Sequence, residues 1–335
     1  MKIATIGTGF IVDSFIETSH IVEHAEMEAV YSRDIKKATA FANKHNILKA
    51  YDNLDTMFQD ETIDIIYIAS PNSLHYEQAK QALRAKKHVI CEKPFTSNPK
   101  ELADLIQTAK QYEVMIFEAI TTIHLPNFKL LQQSLHILGN IRMVNLCYCQ
   151  YSSRYDAYTK HKASNVFSLE FSGGALMDIN IYNIHFCVAL FGKPNKLSYF
   201  PSLGYNGIDT NGILVLEYDN FHATLIGAKD STNDNFSYIQ GDRGNLRIKG
   251  SVSTCENIIH LPLEVSALGR RTAGEMQEIS QSQDARMSYE LRDFMQIITT
   301  HDTKEYERLL QHSIDVMDVL YVARKDANIV FSKDK

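Results

Sequence analysis

Met1-Lys2-Ile3-Ala4-Thr5-Ile6-Gly7-Thr8-Gly9-Phe10-Ile11-Val12 is the stretch that decides the fold. Residues 2–6 form a short apolar run that stops at a glycine. A helical pattern then runs over about residues 12–24. A first glycine at such a junction permits a tight turn. A second lets the backbone approach a pyrophosphate, which rests on the amides of the helix N-terminus. Gly7, Thr8, Gly9, Phe10 and Ile11 are therefore candidate cofactor contacts. The third position of the usual G-x-G-x-x-G spacing is Val12, so the fingerprint is incomplete.

Outward from this turn, strand and helix signals alternate. Residues 27–32, 63–69, 88–91 and 114–118 read as strands, and residues 34–45, 76–85 and 99–112 as helices. Near-continuous apolar strands separated by helices predict a doubly wound parallel sheet of the Rossmann type. This α/β domain is expected over residues 1–121. The pattern then changes. After a helix at 127–136 comes a long alternating strand at 142–151, and a glycine-rich stretch leads into a helix at 175–191. Strand candidates at 197–205, 212–218, 222–228, 235–240 and 245–249 are joined by short turns, which implies an open, mostly antiparallel sheet. Residues 262–283 read as an irregular polar loop, and helices at 288–300 and 303–325 close the chain. Residues 122–335 are thus expected to form an α+β domain for substrate binding and oligomerisation.

The end of the second strand bears on the cofactor. An NAD site usually places Asp or Glu there to accept from the ribose hydroxyls. Here the end reads Val30-Tyr31-Ser32-Arg33, with Asp34 one position later. Ser32 and Arg33 suit a 2′-phosphate, so NADP is the expected cofactor and NAD the alternative.

With 335 residues and a net charge of −6, the chain has the size of a two-domain protein and no basic surplus for nucleic acid or an anionic membrane. No apolar run is long enough to span a bilayer, and no signal peptide precedes the first strand, so a cytoplasmic protein is expected. Cys91, Cys147, Cys149, Cys187 and Cys255 form no CxxC pair and are expected as reduced, mostly buried thiols. The histidines show no metal-ligand spacing, so no metal site is expected.

Lys93 ends the fourth strand just before Pro94, and ligands of doubly wound sheets bind beyond such ends. Asp178, Tyr182 and His185 stand at i, i+4 and i+7, which places them on one face if the helix is regular. Polar groups on one stripe of an apolar helix suit a wet cleft.

Several ordered motifs carry a resemblance: Ser70-Pro71-Asn72-Ser73-Leu74-His75, Glu92-Lys93-Pro94, Glu118-Ala119, Gly173-Gly174-Ala175-Leu176-Met177-Asp178 and Gly241-Asp242-Arg243-Gly244. Together with the N-terminal turn they resemble the glucose–fructose oxidoreductase / inositol dehydrogenase (Gfo/Idh/MocA) family over nearly the whole chain. The resemblance implies an NAD(P)-dependent oxidoreductase acting on a sugar, a polyol or a related hydroxy or carbonyl compound. It implies cofactor contacts from Ser70, Pro71, Asn72, His75, Glu92 and Lys93. Lys93 and Tyr182 would be the catalytic pair, with Asp178 beside them to orient Lys93 or bind a substrate hydroxyl. His185 and His124 would be further substrate contacts. It also implies a homodimer or homotetramer through the open sheet. Ile123 and Asn180 depart from the family pattern and are expected to alter the pocket wall. A non-catalytic NAD(P)-binding regulator and an enzyme that recycles NAD(P) internally remain open on the same fold.

Overall fold

The computed structural model describes residues 1–267 and 269–334. They divide into two compact units: Met1–Ile120 with Ala285–Met317, and Thr121–Asp284 with the chain from Asp318 onward.

The first unit contains β1 (Lys2–Ile6), α1 (Phe10–Ser19), β2 (Glu26–Tyr31), α2 (Ile35–His45), β3 (Lys49–Tyr51), α3 (Leu54–Phe58), β4 (Ile65–Ile68), α4 (His75–Arg84), β5 (His88–Glu92), α5 (Pro99–Gln111) and β6 (Ile116–Ala119). The six strands are parallel in the order β3-β2-β1-β4-β5-β6, so the winding reverses between β1 and β4. Every residue of β4 is buried, as a strand covered on both faces requires. Asp34, Asn53 and Asn98 cap α2, α3 and α5 with their side chains, which sets where each helix begins.

β3 and α3 were not expected from the sequence. β3 has three half-buried residues, too few for a periodic signal. Side chains fasten this edge instead. Lys49 Nζ lies 2.8 Å from Asp60 Oδ2 and 2.9 Å from Glu28 Oε1, and the Tyr51 hydroxyl donates to Asp60 at 2.8 Å.

The second unit contains α6 (Pro126–Ser134), β7 (Ile141–Cys149), α7 (Tyr155–Thr159), a π-helical turn (Leu176–Asn180), α8 (Ile181–Phe191), β8 (Lys196–Leu203), β9 (Asp209–Glu217), β10 (His222–Ala228), β11 (Ser237–Gly241), β12 (Gly244–Lys249), β13 (Asn257–Val265), β14 (Arg271–Ala273) and β15 (Gln277–Glu278). The sheet order is β14-β13-β12-β11-β7-β10-β9-β8, with β15 on β13. All pairs are antiparallel except β7–β10. The predicted Rossmann sheet and the predicted mostly antiparallel sheet are both present.

Part of the expected loop at 262–283 is strand. β13 runs through Pro262 to Val265, and β14 and β15 pair with it. Pro262 remains compatible because its carbonyl still accepts, from the Gly274 amide at 2.9 Å. Leu268, within that stretch, and the terminal Lys335 lie outside the described residues.

One face of the sheet carries α8, and two buried asparagines fasten it. Asn180 Nδ2 donates to the Leu225 carbonyl at 3.1 Å. Asn183 Nδ2 donates to the Ile226 carbonyl at 3.0 Å and to Asn180 Oδ1 at 2.8 Å. A Cβ on Gly227 would lie 2.6 Å from that of Asn180, so the close approach requires glycine. On the other face, Phe200, Ile213, Ile226 and Cys147 form a row across β8, β9, β10 and β7. Phe200 is 62% exposed. All five cysteines are free thiols and buried, and the sulfurs of Cys147 and Cys149 approach to 3.6 Å.

The chain then returns to the first unit. α9 (Met287–Thr300) and most of α10 (Thr303–Asp326) pack there rather than extending the second unit without a break. The Phe117 ring stacks on Phe294 with centres 4.7 Å apart, and the Ile116 amide donates to the Tyr306 hydroxyl at 3.2 Å. Among the described residues no helix is long and apolar enough to cross a membrane.

The Asp60 cluster generates a prediction. Burial disfavours the charged form of Asp60, but Lys49, Thr62 and Tyr51 outweigh it and hold the carboxyl well below its usual range. A depressed folded-state pKa stabilises the fold above the unfolded value near 4, and that contribution is lost as the pH falls through the folded one. Asp60→Asn should cost about 1–2 kcal/mol in urea unfolding at neutral pH. The gap to wild type should narrow in acid, and a gap independent of pH would refute the assignment.

Candidate active site

In the first unit, the sequence-predicted cofactor residues gather at the carboxyl ends of the strands flanking the winding reversal. Gly7 has a φ of 122°, a left-handed conformation that favours glycine. A Cβ there would lie 2.9 Å from the Ala69 carbonyl oxygen. The Gly7 amide donates to the Tyr31 carbonyl at 3.1 Å, which ties the turn to β2. Gly9 is the N-cap of α1, is extended, and has open space where its Cβ would be. No side chain caps α1. The first turn of a helix carries amides without intrahelical partners, and at an uncapped end these suit an anion. Val12, in the place of the third glycine, is fully buried, so the substitution leaves the turn intact.

At the end of β2, the Asp34 side chain accepts from the Lys36 amide at 3.0 Å. Its carboxylate is therefore engaged as a helix cap. Arg33 is exposed, and so are Lys36 and Lys37 in the first turn of α2. Ser32 accepts from the Asp34 amide at 3.4 Å. The sequence reading weighed Ser32 and Arg33 but passed over the two lysines, although Ile35-Lys36-Lys37 was a readable signal.

After β4, Ser70 Oγ donates to Gln78 at 2.6 Å, and Asn72 opens a short 3₁₀ turn that follows Pro71. His75 is buried. Its two ring nitrogens each lie 2.9 Å from a carbonyl oxygen, of Pro94 and of Ser70. Burial holds its imidazole below the ordinary pKa, against the pull of those two carbonyls. A neutral ring donates to one of them at a time. His75 therefore joins the Ser70-Pro71-Asn72 loop to the loop after β5. At that strand end the Tyr67 hydroxyl donates to Glu92 at 2.6 Å, and burial pushes the Glu92 carboxyl up. Lys93 is half-buried, and the Lys93–Pro94 peptide is cis. The Phe95 amide donates to Glu118 at 3.1 Å, an anchor for this loop that sequence reasoning did not assign.

In the second unit, Gly174 has a φ of 105°, and a Cβ on it would strike the Asp209 carboxylate. Asp209 is buried and accepts from the Leu176 amide at 2.6 Å and from the Tyr199 hydroxyl at 2.8 Å. These bonds seat the start of the π-turn, and burial pushes the Asp209 carboxyl up.

The π-turn changes the expected stripe. A turn closed by i→i+5 bonds holds more residues than an α-turn, so α-helical spacing does not carry across it. Asp178 and Tyr182 are half-buried on this segment, whereas Met177, Ile179, Asn180, Ile181, Asn183, Ile184 and His185 are buried. Of the three residues expected on the stripe, Asp178 and Tyr182 are half-buried and His185 is fully buried. His124 is also buried, on the 3₁₀ turn Thr121–His124. The expected pocket-wall role of Asn180 is corrected: its side chain is spent on β10 and Asn183. Ile123 is buried as well.

Two side chains near the stripe were missed. The Tyr182 ring centre lies 5.6 Å from that of Tyr148 on β7. Asp178 Oδ2 is 2.5 Å from the ammonium of Lys229, whose side chain is 2% exposed. No local motif marks Lys229, because its partner is distant in sequence.

The chain matches two family models. One is described as an oxidoreductase family with an NAD-binding Rossmann fold, over residues 1–120, and the other as the GFO/IDH/MocA C-terminal domain, over residues 135–247. It is 38% identical to scyllo-inositol 2-dehydrogenase (NADP(+)) IolU of Bacillus subtilis (strain 168), over 100% of this chain and 99% of that one. It is 25% identical to the human trans-1,2-dihydrobenzene-1,2-diol dehydrogenase, over 98% of each chain. Among solved structures it resembles the 3-ketoreductase KijD10 of Actinomadura kijaniata, in complex with NADP and TDP-benzene. The TM-score is 0.85 at 18% identity, over 97% of each chain. Together these matches place the chain in the Gfo/Idh/MocA oxidoreductase family.

Proposed function

We propose that the protein is an NADP-dependent dehydrogenase that moves a hydride between the cofactor and the carbinol carbon of a cyclic polyol or related sugar-like substrate. The full-length similarity to a scyllo-inositol 2-dehydrogenase (NADP(+)) supports this reading. The observation that carries it is the pairing of Asp178 and Tyr182 as the half-exposed polar groups of an otherwise buried segment.

The cofactor fits the residues present. The uncapped start of α1 and the open face of Gly9 suit the pyrophosphate. Arg33, with Lys36 and Lys37 beside it, suits a 2′-phosphate, and the Asp34 carboxylate is turned to the Lys36 amide as a helix cap. When bound, NADP supplies the carbon that accepts or returns the hydride.

The protein's own work is to move a proton and orient the substrate. Oxidising an alcohol requires loss of its hydroxyl proton, and Tyr182 is assigned to accept it as the acid/base. An ammonium favours the phenolate this requires, and Lys93 is assigned to supply it. Asp178 is assigned to accept from a substrate hydroxyl. Ser70, Pro71, Asn72, Glu92 and Lys93 are assigned to the cofactor side, with His75 holding two of their loops together. The exposed neighbours Phe200 and Ile213, with the half-buried Ile226 beside them, make the open sheet face the assigned surface for pairing with a second copy, since exposed apolar patches mark interfaces. A cytoplasmic location agrees with five unpaired thiols.

Activity is tested by following NADPH formation with scyllo-inositol, other inositols and simple sugars. Net formation is expected with at least one polyol. Tight NADP binding with no turnover across the panel would favour the regulator reading. Tyr182→Phe and Lys93→Met should each lower turnover roughly 10²–10⁴-fold, and in Tyr182→Phe NADP affinity should stay within a few-fold. Unchanged turnover in either variant removes that residue from the mechanism. Arg33→Asp should shift the preference towards NAD, and an unaltered NADP/NAD ratio would mean that the 2′-phosphate is held elsewhere. For the assembly, Phe200→Glu should reduce the mass measured by light scattering to that of a monomer. A wild-type monomer would refute the interface outright.

A further inference from the structure

Lys229 directly follows β10 and is buried. A buried ammonium is costly unless it is paired and hydrogen-bonded. Its Nζ donates to Asp178 Oδ2 at 2.5 Å and to the Val166 carbonyl at 3.1 Å, and lies 4.5 Å from the centre of the Phe167 ring. Its backbone is held on both sides. The Lys229 amide donates to the Thr210 carbonyl, and its carbonyl accepts from the Ser152 amide, each at 2.8 Å. The ammonium is therefore a fixed point where a strand end, the 3₁₀ turn Asn165–Phe167 and the π-turn meet. The neighbouring buried carboxyl, Asp209, already accepts from Leu176 and Tyr199.

We propose that Lys229 is a positioning residue for Asp178. It acts through the carboxylate, holding it charged and aimed as an acceptor for a substrate hydroxyl. The proposal rests on the reading of Asp178 as a substrate contact. It also defines a substrate class. A carboxylate kept charged welcomes a hydroxyl donor and repels a carboxylate or phosphate in the same place. The preferred substrate is thus uncharged, with a second hydroxyl near the reacting one. A π-turn adds a reason for such a device, because its spacing alone does not aim the side chain at position 178.

The test is a double-mutant cycle on the full chain with Lys229→Met, Asp178→Asn and both together, plus Lys229→Arg. Urea unfolding without ligands should show coupling. The loss in the double variant should be smaller than the sum of the single losses, since removing both charges leaves neither stranded. With NADP and the polyol that the wild type oxidises, Lys229→Met should lower kcat/KM about 10–100-fold, the scale expected for a misplaced contact. Lys229→Arg should recover most of that loss. In the Asp178→Asn background, Lys229→Met should cost less than about threefold. Kinetic losses that multiply would reduce Lys229 to a structural role and overturn the proposal, as would the absence of coupling in unfolding. Unchanged kcat/KM in Asp178→Asn would overturn the reading of Asp178, and the proposal with it. That outcome is recognisable because the coupling in unfolding would persist.

Discussion

The conformation of Gly7 is the constraint on which the first unit depends. The chain must leave β1 with a positive φ while passing the Ala69 carbonyl at a distance no side chain would allow. That single turn aims α1 so that its uncapped N-terminus faces outward beside the winding reversal. It also brings the ends of β1, β2 and β4 to one edge. Gly7–Ile11, Ser32, Arg33 and Ser70–Asn72 take their places from this edge, and Glu92 and Lys93 from the end of β5 beside it. A missing third glycine matters little by comparison, because Val12 is buried in ordinary packing.

The second unit solves a different problem. A largely apolar helix must lie on a sheet and still present two polar groups on a defined turn. Buried polar side chains accomplish this. Asn180 and Asn183 reach carbonyls of β10, Gly227 permits their approach, and Asp209 seats the start of the π-turn. Buried polar groups are destabilising unless satisfied, and when satisfied they favour one arrangement over its neighbours. The register of helix on sheet is thereby set by hydrogen bonds as well as by shape.

Much of this was legible in the sequence. The β1 turn, the alternation of strands and helices and the lysine before Pro94 all rest on local patterns, which periodicity and motif spacing report directly. The omissions share one physical cause. β3 is held by Asp60 and Glu28, Asp178 by Lys229, and the loop after β5 by Glu118. Each contact joins residues beyond the reach of helix or strand periodicity, and such pairing leaves no local trace. His185 shows the converse: regular spacing suggested one equally wet stripe, and His185 lies fully buried in α8. Residues 262–283 were read as an irregular polar loop, yet Pro262 sits in a strand where its carbonyl still finds a donor.

The return of Ala285–Met317 to the first unit has a consequence for how the chain is made. A protein emerges from the ribosome from its N-terminus, and domains usually fold as they appear. Here the leading sheet is complete once residue 119 has been synthesised, but the helices that cover Phe117 and Ile116 come more than 160 residues later. Until then one side of β6 must wait uncovered while the whole second sheet is built. The first unit therefore cannot finish folding before the second unit's sheet has been translated.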